Sequence, residues 1–201
     1  MAVQTQINGA TKNISGRKVK CLRYHYSDAE LKTLLKSMVL LIDTREQKNK
    51  HITDWLDKNK IPHQSRKLDY GDYSYMLPGC SELGIMRDLY FTDGLAVERK
   101  GSLDELASNL THERVRFESE LLRGTGAKMY LLIENGSWQS IYNGAYKSEY
   151  KPQSFVASLK CFEARYGLNI DFTLEAYAGS WIYNTCYYHL REFLLKGGVA
   201  A

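Results

Sequence analysis

The sequence predicts a single α/β domain. The continuous apolar run at residues 38–42 (MVLLI), stopped by Asp43, reads as a strand covered on both faces, because a strand open to water on one side alternates, and residues 128–134 (KMYLLIE) read as a second buried strand. Segments of helical periodicity with capping signals lie between and after them. No repeat, low-complexity stretch or linker interrupts residues 27–196, so helices and buried strands share one core.

Taken in order, Ser27-Asp28-Ala29-Glu30 is a capping-box pattern, and Leu31, Leu34 and Leu35 recur at helical spacing, which gives a short helix ending near Ser37. The buried strand 38–42 follows, then a helix over 52–58 closed off by Pro62. Strand-like segments come next near 63–68, 73–77, 89–91 and 95–99. Residues 77–93 read as an extended hairpin. Ser102-Leu103-Asp104-Glu105 opens a helix to about Leu110, and Thr111 is placed to cap a second that runs to Arg123 and is broken by Gly124 and Gly126. After the strand 128–134, Pro152 starts a helix to Tyr166, residues 169–173 form a short strand, and 176–196 form the last helix.

With 44% hydrophobic and 25% charged residues in 201, the chain is neither disordered nor collagen-like. It has no run near the roughly 20 apolar residues that span a bilayer, and its first residues lack a signal-peptide core. A cytoplasmic, membrane-free protein, nucleoid-associated or in a phage-infected host, is the expectation. Cys21, Cys80, Cys161 and Cys186 show no zinc spacing and read as buried free thiols. The formal net charge of +4 is uneven, because residues 1–26 hold five basic residues and no acid. Residues 1–22 therefore read as a flexible basic arm whose Lys18 and Lys20 can follow phosphates.

The most informative segment is Val97-Glu98-Arg99-Lys100, at the end of an apolar strand. Residues two apart on a strand share a face, so Glu98 and Lys100 point one way and Arg99 the other. A carboxylate and an ammonium so placed can hold a hard divalent cation and reach a water or a phosphate. An exposed edge-strand charge cluster would also read this way, but further acids agree. Gly71-Asp72 sits at a strand entrance, and Asp43-Thr44-Arg45-Glu46 ends the buried strand. Carboxylates gathered at strand ends repel one another unless a cation neutralises them. Rival motifs fail: Gly124-Thr125-Gly126-Ala127-Lys128 runs from helix to strand, the reverse of a phosphate loop, and His112-Glu113 meets Arg116 where a zinc protease needs histidine.

In this ordered pattern the sequence resembles the XPF-type structure-specific endonucleases. Asp43-Thr44-Arg45-Glu46, then Gly71-Asp72, then Glu98-Arg99-Lys100 with Asp104 four residues on, match the family's D-x-R-E, G-D and E-R-K-x-x-x-D over roughly residues 38–196. The resemblance implies a restriction-endonuclease-like mixed central sheet flanked by helices. It implies Asp72 and Glu98, with Asp43, as ligands for Mg²⁺ or Mn²⁺, Lys100 as the residue that positions or activates water, and Glu46 and Asp104 completing an acidic pocket. It further implies DNA contacts from the helix arginines Arg114, preferred, and Arg116, and from Arg99, with Arg45 either contacting DNA or orienting the carboxylates. Pairing of the helix arginines with Glu113, Glu118 or Glu120 is the competing reading. The 25 residues between Asp72 and Glu98 are more than the pattern leads one to expect. The sequence given also carries no tail for tandem helix-hairpin-helix modules, which leaves junction preference open.

A metal-dependent endonuclease acting on branched or flapped DNA in replication, recombination or repair is therefore expected, with one domain over 23–201. A catalytically silent DNA-binding subunit and a restriction-like nuclease are the alternatives. The last helix is apolar on nearly every face, which needs more than one partner surface. A homodimer through that helix, with Phe155, Leu159 and Phe162, is the expectation from family behaviour, with burial inside the chain as its rival.

Overall fold

Alternation along two neighbouring strands divides the molecule into layers. In this computed structural model, β7 (Leu95–Lys100) pairs parallel with β8 (Lys128–Glu134), Ala96 opposite Met129 and Lys100 opposite Ile133. Ala96, Met129, Leu131 and Ile133 enter one apolar cluster, while Leu95, Val97 and Leu132 enter another on the opposite face. The structure describes residues 25–197 and, before them, only the antiparallel pairing of β1 (Asn13–Ile14) with β2 (Arg17–Lys18). Otherwise the basic arm expected over 1–22, with Lys20 and the Lys18 side chain, lies outside the described residues.

The central sheet is mixed, in the order β4-β3-β5-β7-β8-β9. β3 (Val39–Ile42) runs parallel to β4 (His63–Ser65) and antiparallel to β5 (Tyr73–Leu77), which is antiparallel to β7. β8 continues parallel into β9 (Asn169–Thr173). β6 (Leu89–Tyr90) folds back on β5 as the hairpin read from the sequence, closed by a bridge between Cys80 and Ile85.

Helix α1 (Asp28–Ser37) begins at a complete capping box, with the Ser27 hydroxyl accepting from Glu30 N and the Glu30 carboxylate from Ser27 N. With α2 (Lys50–Lys58) and α7 (Ala178–Leu195), α1 covers one face of the sheet. The α2 contact is close at Gly179, where a Cβ would lie 3.1 Å from the Trp55 side chain. The other face carries α3 (Leu103–Thr111), α4 (Arg114–Arg123), α5 (Trp138–Tyr142) and α6 (Pro152–Tyr166). This is the restriction-endonuclease-like sandwich expected.

Several local expectations change. Thr111 is the last residue of α3, spending its hydroxyl on the Ala107 carbonyl, and Glu113 precedes α4 instead. The short α5 replaces what reads as loop. Cys186 is buried but Cys80 is half-buried and Cys161 exposed; these three are free thiols. Phe155, Leu159 and Phe162 are fully buried within the chain's own core, so they form no part of an interface between copies. Among the described residues no helix is long and apolar enough to cross a membrane.

Candidate active site

Sheet direction brings the acids together. β3 and β7 run one way and β5 the other, so the C-terminal ends of β3 and β7 meet the entrance of β5 at one edge. The backbone stitches these ends directly: Asp43 N donates to the Asp72 carbonyl and Asp72 N to the Val97 carbonyl, each at 2.8 Å. Gly71 makes the approach possible, because its φ of +69° is left-handed and a Cβ there would lie 3.0 Å from the Ala96 Cβ and 3.3 Å from the Val97 oxygen. Asp72 also accepts the Arg99 backbone N–H at 2.8 Å.

On β7, Glu98 and Lys100 project toward α3 and α4. Glu98 is 3% and Lys100 8% exposed, and the ammonium donates to Glu98 Oε1 at 2.6 Å while lying 5.2 Å over the Phe117 ring. The second Glu98 oxygen, Oε2, is buried without a hydrogen-bond partner. Burial, then the neighbouring Glu98 charge, pushes the Asp72 carboxyl well above the ordinary range. Burial also raises Glu98, against the pull of Lys100. Burial alone would lower Lys100, yet the Glu98 and Asp72 carboxylates more than offset it, so the ammonium stays protonated. Burial lifts Glu46 as well, with Arg99 opposing.

Arg99 takes the opposite face, as alternation requires, and its guanidinium is engaged mainly with a carboxylate of the chain. It is 7% exposed and forks onto Glu134 at the end of β8, Nε to Oε1 at 2.6 Å and Nη2 to Oε2 at 2.7 Å. His51 of α2 bonds the same Oε1 at 2.8 Å. Two of its N–H groups are thus committed to a buried carboxylate, while Nη1 lies 3.5 Å from Glu46 at the edge of the cleft.

The cleft above Glu98 also receives Asp43, Arg45, Glu46 and Arg116, and from the α3–α4 side Glu105, Asn109, Glu113 and Glu120. Asp43 differs from its expected part as a metal ligand, since its buried carboxylate already accepts from Arg45 Nε, Leu68 N and Thr44 Oγ1. Asp104 does not line the cleft: its Oδ1 accepts the backbone N–H groups of Lys147 at 2.7 Å and Ser148 at 3.0 Å and so ties down the loop before α6. The preferred Arg114 is occupied by Glu118 and the Ser158 hydroxyl, the competing reading, whereas Arg116 reaches the cleft with 78% of its side chain exposed and a loose 3.5 Å pair to Glu113. Sequence reasoning passed over Glu105, Asn109, Glu113 and Glu120. Their signal was polar residues on one face of each helix, Glu105 and Asn109 four apart on α3 and Glu113 and Glu120 seven apart at the start of and along α4.

The donor set fits a hard divalent cation. Glu98 Oε2 is a buried oxygen lacking a partner, Asp72 lies beside it, and all-oxygen ligands suit magnesium or manganese. No three acidic, histidine or cysteine side chains among the described residues form a ready-made cage. Two carboxylates leave the remaining coordination positions to water and substrate, as magnesium favours.

Comparison with known proteins bears on the family and the fold. The ERCC4 domain profile matches residues 42–185. Among solved structures, the chain is similar to XPF from Aeropyrum pernix, with 18% identity and a TM-score of 0.57 over 81% of this chain and 65% of that one. It is also similar to XPF from Aeropyrum pernix in complex with DNA, with 17% identity and a TM-score of 0.54 over 77% of this chain and again 65% of the other. At such identity the likeness is one of fold, and this chain spans about two thirds of the length of either protein. No curated protein matches the sequence. With the profile covering most of the folded core, and the Gly71-Asp72 and Glu98-Arg99-Lys100 segments at one sheet edge inside it, the chain belongs to the ERCC4 domain family, the XPF-type nucleases.

Proposed function

We propose that this protein is a metal-dependent endonuclease that hydrolyses phosphodiesters in branched or flapped DNA. The observation that carries the reading is the pair of carboxylates, half-buried Asp72 and buried Glu98, with a protonated Lys100 held at 2.6 Å and one Glu98 oxygen left without a partner. Carboxylates raised by burial and by each other, gathered in a cleft beside an ammonium, are the arrangement that active sites use.

Asp72 and Glu98 are the residues that would hold Mg²⁺ or Mn²⁺. When bound there, such a cation polarises the phosphodiester and makes a bound water more acidic. Lys100, being protonated, is no base; its ammonium orients the attacking water or meets the charge growing on a phosphoryl oxygen. Arg116, at the mouth, is placed to hold a flanking phosphate. Glu46, on the outer wall, adds negative potential that favours the cation.

Cleavage of labelled flap, splayed-arm, four-way and linear DNA with Mg²⁺ or Mn²⁺ tests the reading, wild type beside Lys100→Ala. Cleavage of branched forms that Lys100→Ala reduces by about 10²-fold or more is expected. Binding without cleavage under either metal would make the chain a silent subunit, and preference for linear duplex would make it a restriction-like nuclease.

We further propose a homodimer through α7. Its outer side leaves Tyr188 and Leu195 exposed, as is Tyr177 just before it, beside a cleft of about 870 Å³ against β8 and β9. Light scattering at micromolar concentration should give twice the chain mass, and a monomer would refute the assignment.

A further inference from the structure

Seven acids against four bases line the candidate active site, so a polyanionic strand reaches it only with positive charge close by. At Arg45 the site opens onto a second cleft of about 590 Å³, which also receives Lys67, Asp69, Asp93 and Arg123. Its three cations come from the segment after β3, the segment after β4 and the end of α4. Neither Lys67 nor Arg123 takes part in any ion pair among the described residues. Exposed Arg66 is likewise without an acid and stacks 4.1 Å over the Tyr90 ring.

The active site itself holds this cleft in shape. Buried Asp43 accepts Leu68 N at 3.2 Å, Arg45 Nη2 donates to the Leu68 carbonyl at 3.1 Å, and Arg66 N donates to the Ile42 carbonyl at 2.8 Å. Arg123 Nε is fixed by the Asp69 carbonyl at 3.1 Å, a bond that orients the guanidinium without neutralising it. Lys67 and Arg123 are the cations of the cleft without an ion pair, so an anion there would meet charge that no contact neutralises.

We propose that this cleft is a phosphate track that takes the sugar–phosphate backbone of the strand flanking the phosphodiester at the active site, with Lys67 and Arg123 as its phosphate contacts. The assignment rests on the nuclease reading above and deepens it. Asp69 and Asp93 lie in the same cleft and oppose the backbone, which gives the test a variant that should gain affinity.

The test is anisotropy of end-labelled splayed-arm DNA with the full chain in EDTA, over a series of salt concentrations. Lys67→Ala/Arg123→Ala should weaken binding by about tenfold near 0.1 M salt and lower the slope of log K against log salt by about 1.4–1.8, the counterions of two phosphate contacts. Asp69→Asn should tighten binding by about two- to threefold, a gain that a folding defect cannot mimic. Lys32→Ala/Lys36→Ala on α1, on the other face of the sheet, removes the same charge and should leave the slope near that of wild type. An unchanged slope in the Lys67/Arg123 variant, or an equal change in the α1 control, overturns the track. Metal-dependent cleavage by the wild type is scored separately: cleavage with an unchanged slope removes the track and keeps the nuclease, whereas a shifted slope without cleavage keeps the track and removes the nuclease. Wild type that binds no DNA overturns both.

Discussion

Asp72→Asn should lower the rate of phosphodiester cleavage by about 10³-fold or more, because the loss of several kcal/mol of charge stabilisation translates into that factor, and should at the same time raise the melting temperature. Both effects come from the same atoms. Asn keeps an oxygen to accept the Arg99 N–H that now bonds Asp72 at 2.8 Å, so the backbone stitch survives. It removes a charge that burial and the nearby Glu98 both disfavour. The sign of the pH dependence follows: a carboxyl whose folded-state value lies above its unfolded one binds its proton more tightly in the native protein, so stability falls as pH rises across the interval between the two. Where it is ionised, Asp72 is therefore a net cost to folding. Removing it should add about 1 kcal/mol, or about 2–4 °C for a chain of this size, and flatten the decline in melting temperature as pH rises above the ordinary carboxylate range. Thermal melts of wild type and Asp72→Asn from acid to neutral pH check this. A variant that melts lower at neutral pH while retaining its fold would show that the carboxylate is stabilising as it stands.

The opposed fates of neighbouring residues show how far the sequence can be read. That Glu98 and Lys100 share a face and Arg99 does not follows from the strand period of two alone, and burial of the strand at 38–42 follows from its unbroken apolar run. Tyr73–Leu77 and Asn169–Thr173 fall where turn residues and strand formers place them. What period cannot supply is the partner across space. Asp104 reads as one more carboxylate of an acidic motif, yet its oxygen is taken by backbone amides 43 and 44 residues further on. Arg114 and Arg116 stand on one short helix, and only the packing of α4 against α6 decides that the first meets Ser158 while the second reaches the cleft. An apolar helix face looks the same whether its own chain or a second copy covers it, which is why Phe155, Leu159 and Phe162 read as an interface and prove to be core. Glu134 carried a usable signal: an acid that closes a fully apolar strand, as Asp43 closes β3, is too costly to bury without a charged partner.

That partner makes Arg99→Ala the substitution with the largest expected effect on stability. Removing one member of a buried ion pair leaves the other charged and desolvated, a loss of about 3–5 kcal/mol, which for a chain of this size is on the order of 10 °C. Glu134 is 2% exposed and would keep only His51 as donor. Arg99→Lys should fall between wild type and Ala, since an ammonium keeps the charge but cannot reproduce the two-pronged geometry at 2.6 and 2.7 Å. A combined Arg99→Met/Glu134→Leu replacement, which deletes both charges and keeps the volume, should recover most of the loss. The pH response separates this from a simple packing defect. Burial raises the Glu134 carboxyl, but the hydrogen bonds from Arg99 and His51 outweigh it, so its native value lies below the ordinary one. A depressed carboxyl contributes stability above its unfolded value and loses it as pH falls through the folded one. Without Arg99 the shift reverses toward the raised value that burial dictates, so the deficit of Arg99→Ala should be greatest near neutral pH and should shrink on acidification, as Glu134 takes up a proton. Urea unfolding of the four proteins at neutral and at mildly acidic pH measures both the size and the trend. A deficit below about 1 kcal/mol, the range of an exposed pair, or one that stays constant with pH, would mean that the fork between β7 and β8 does not hold the strand ends in place.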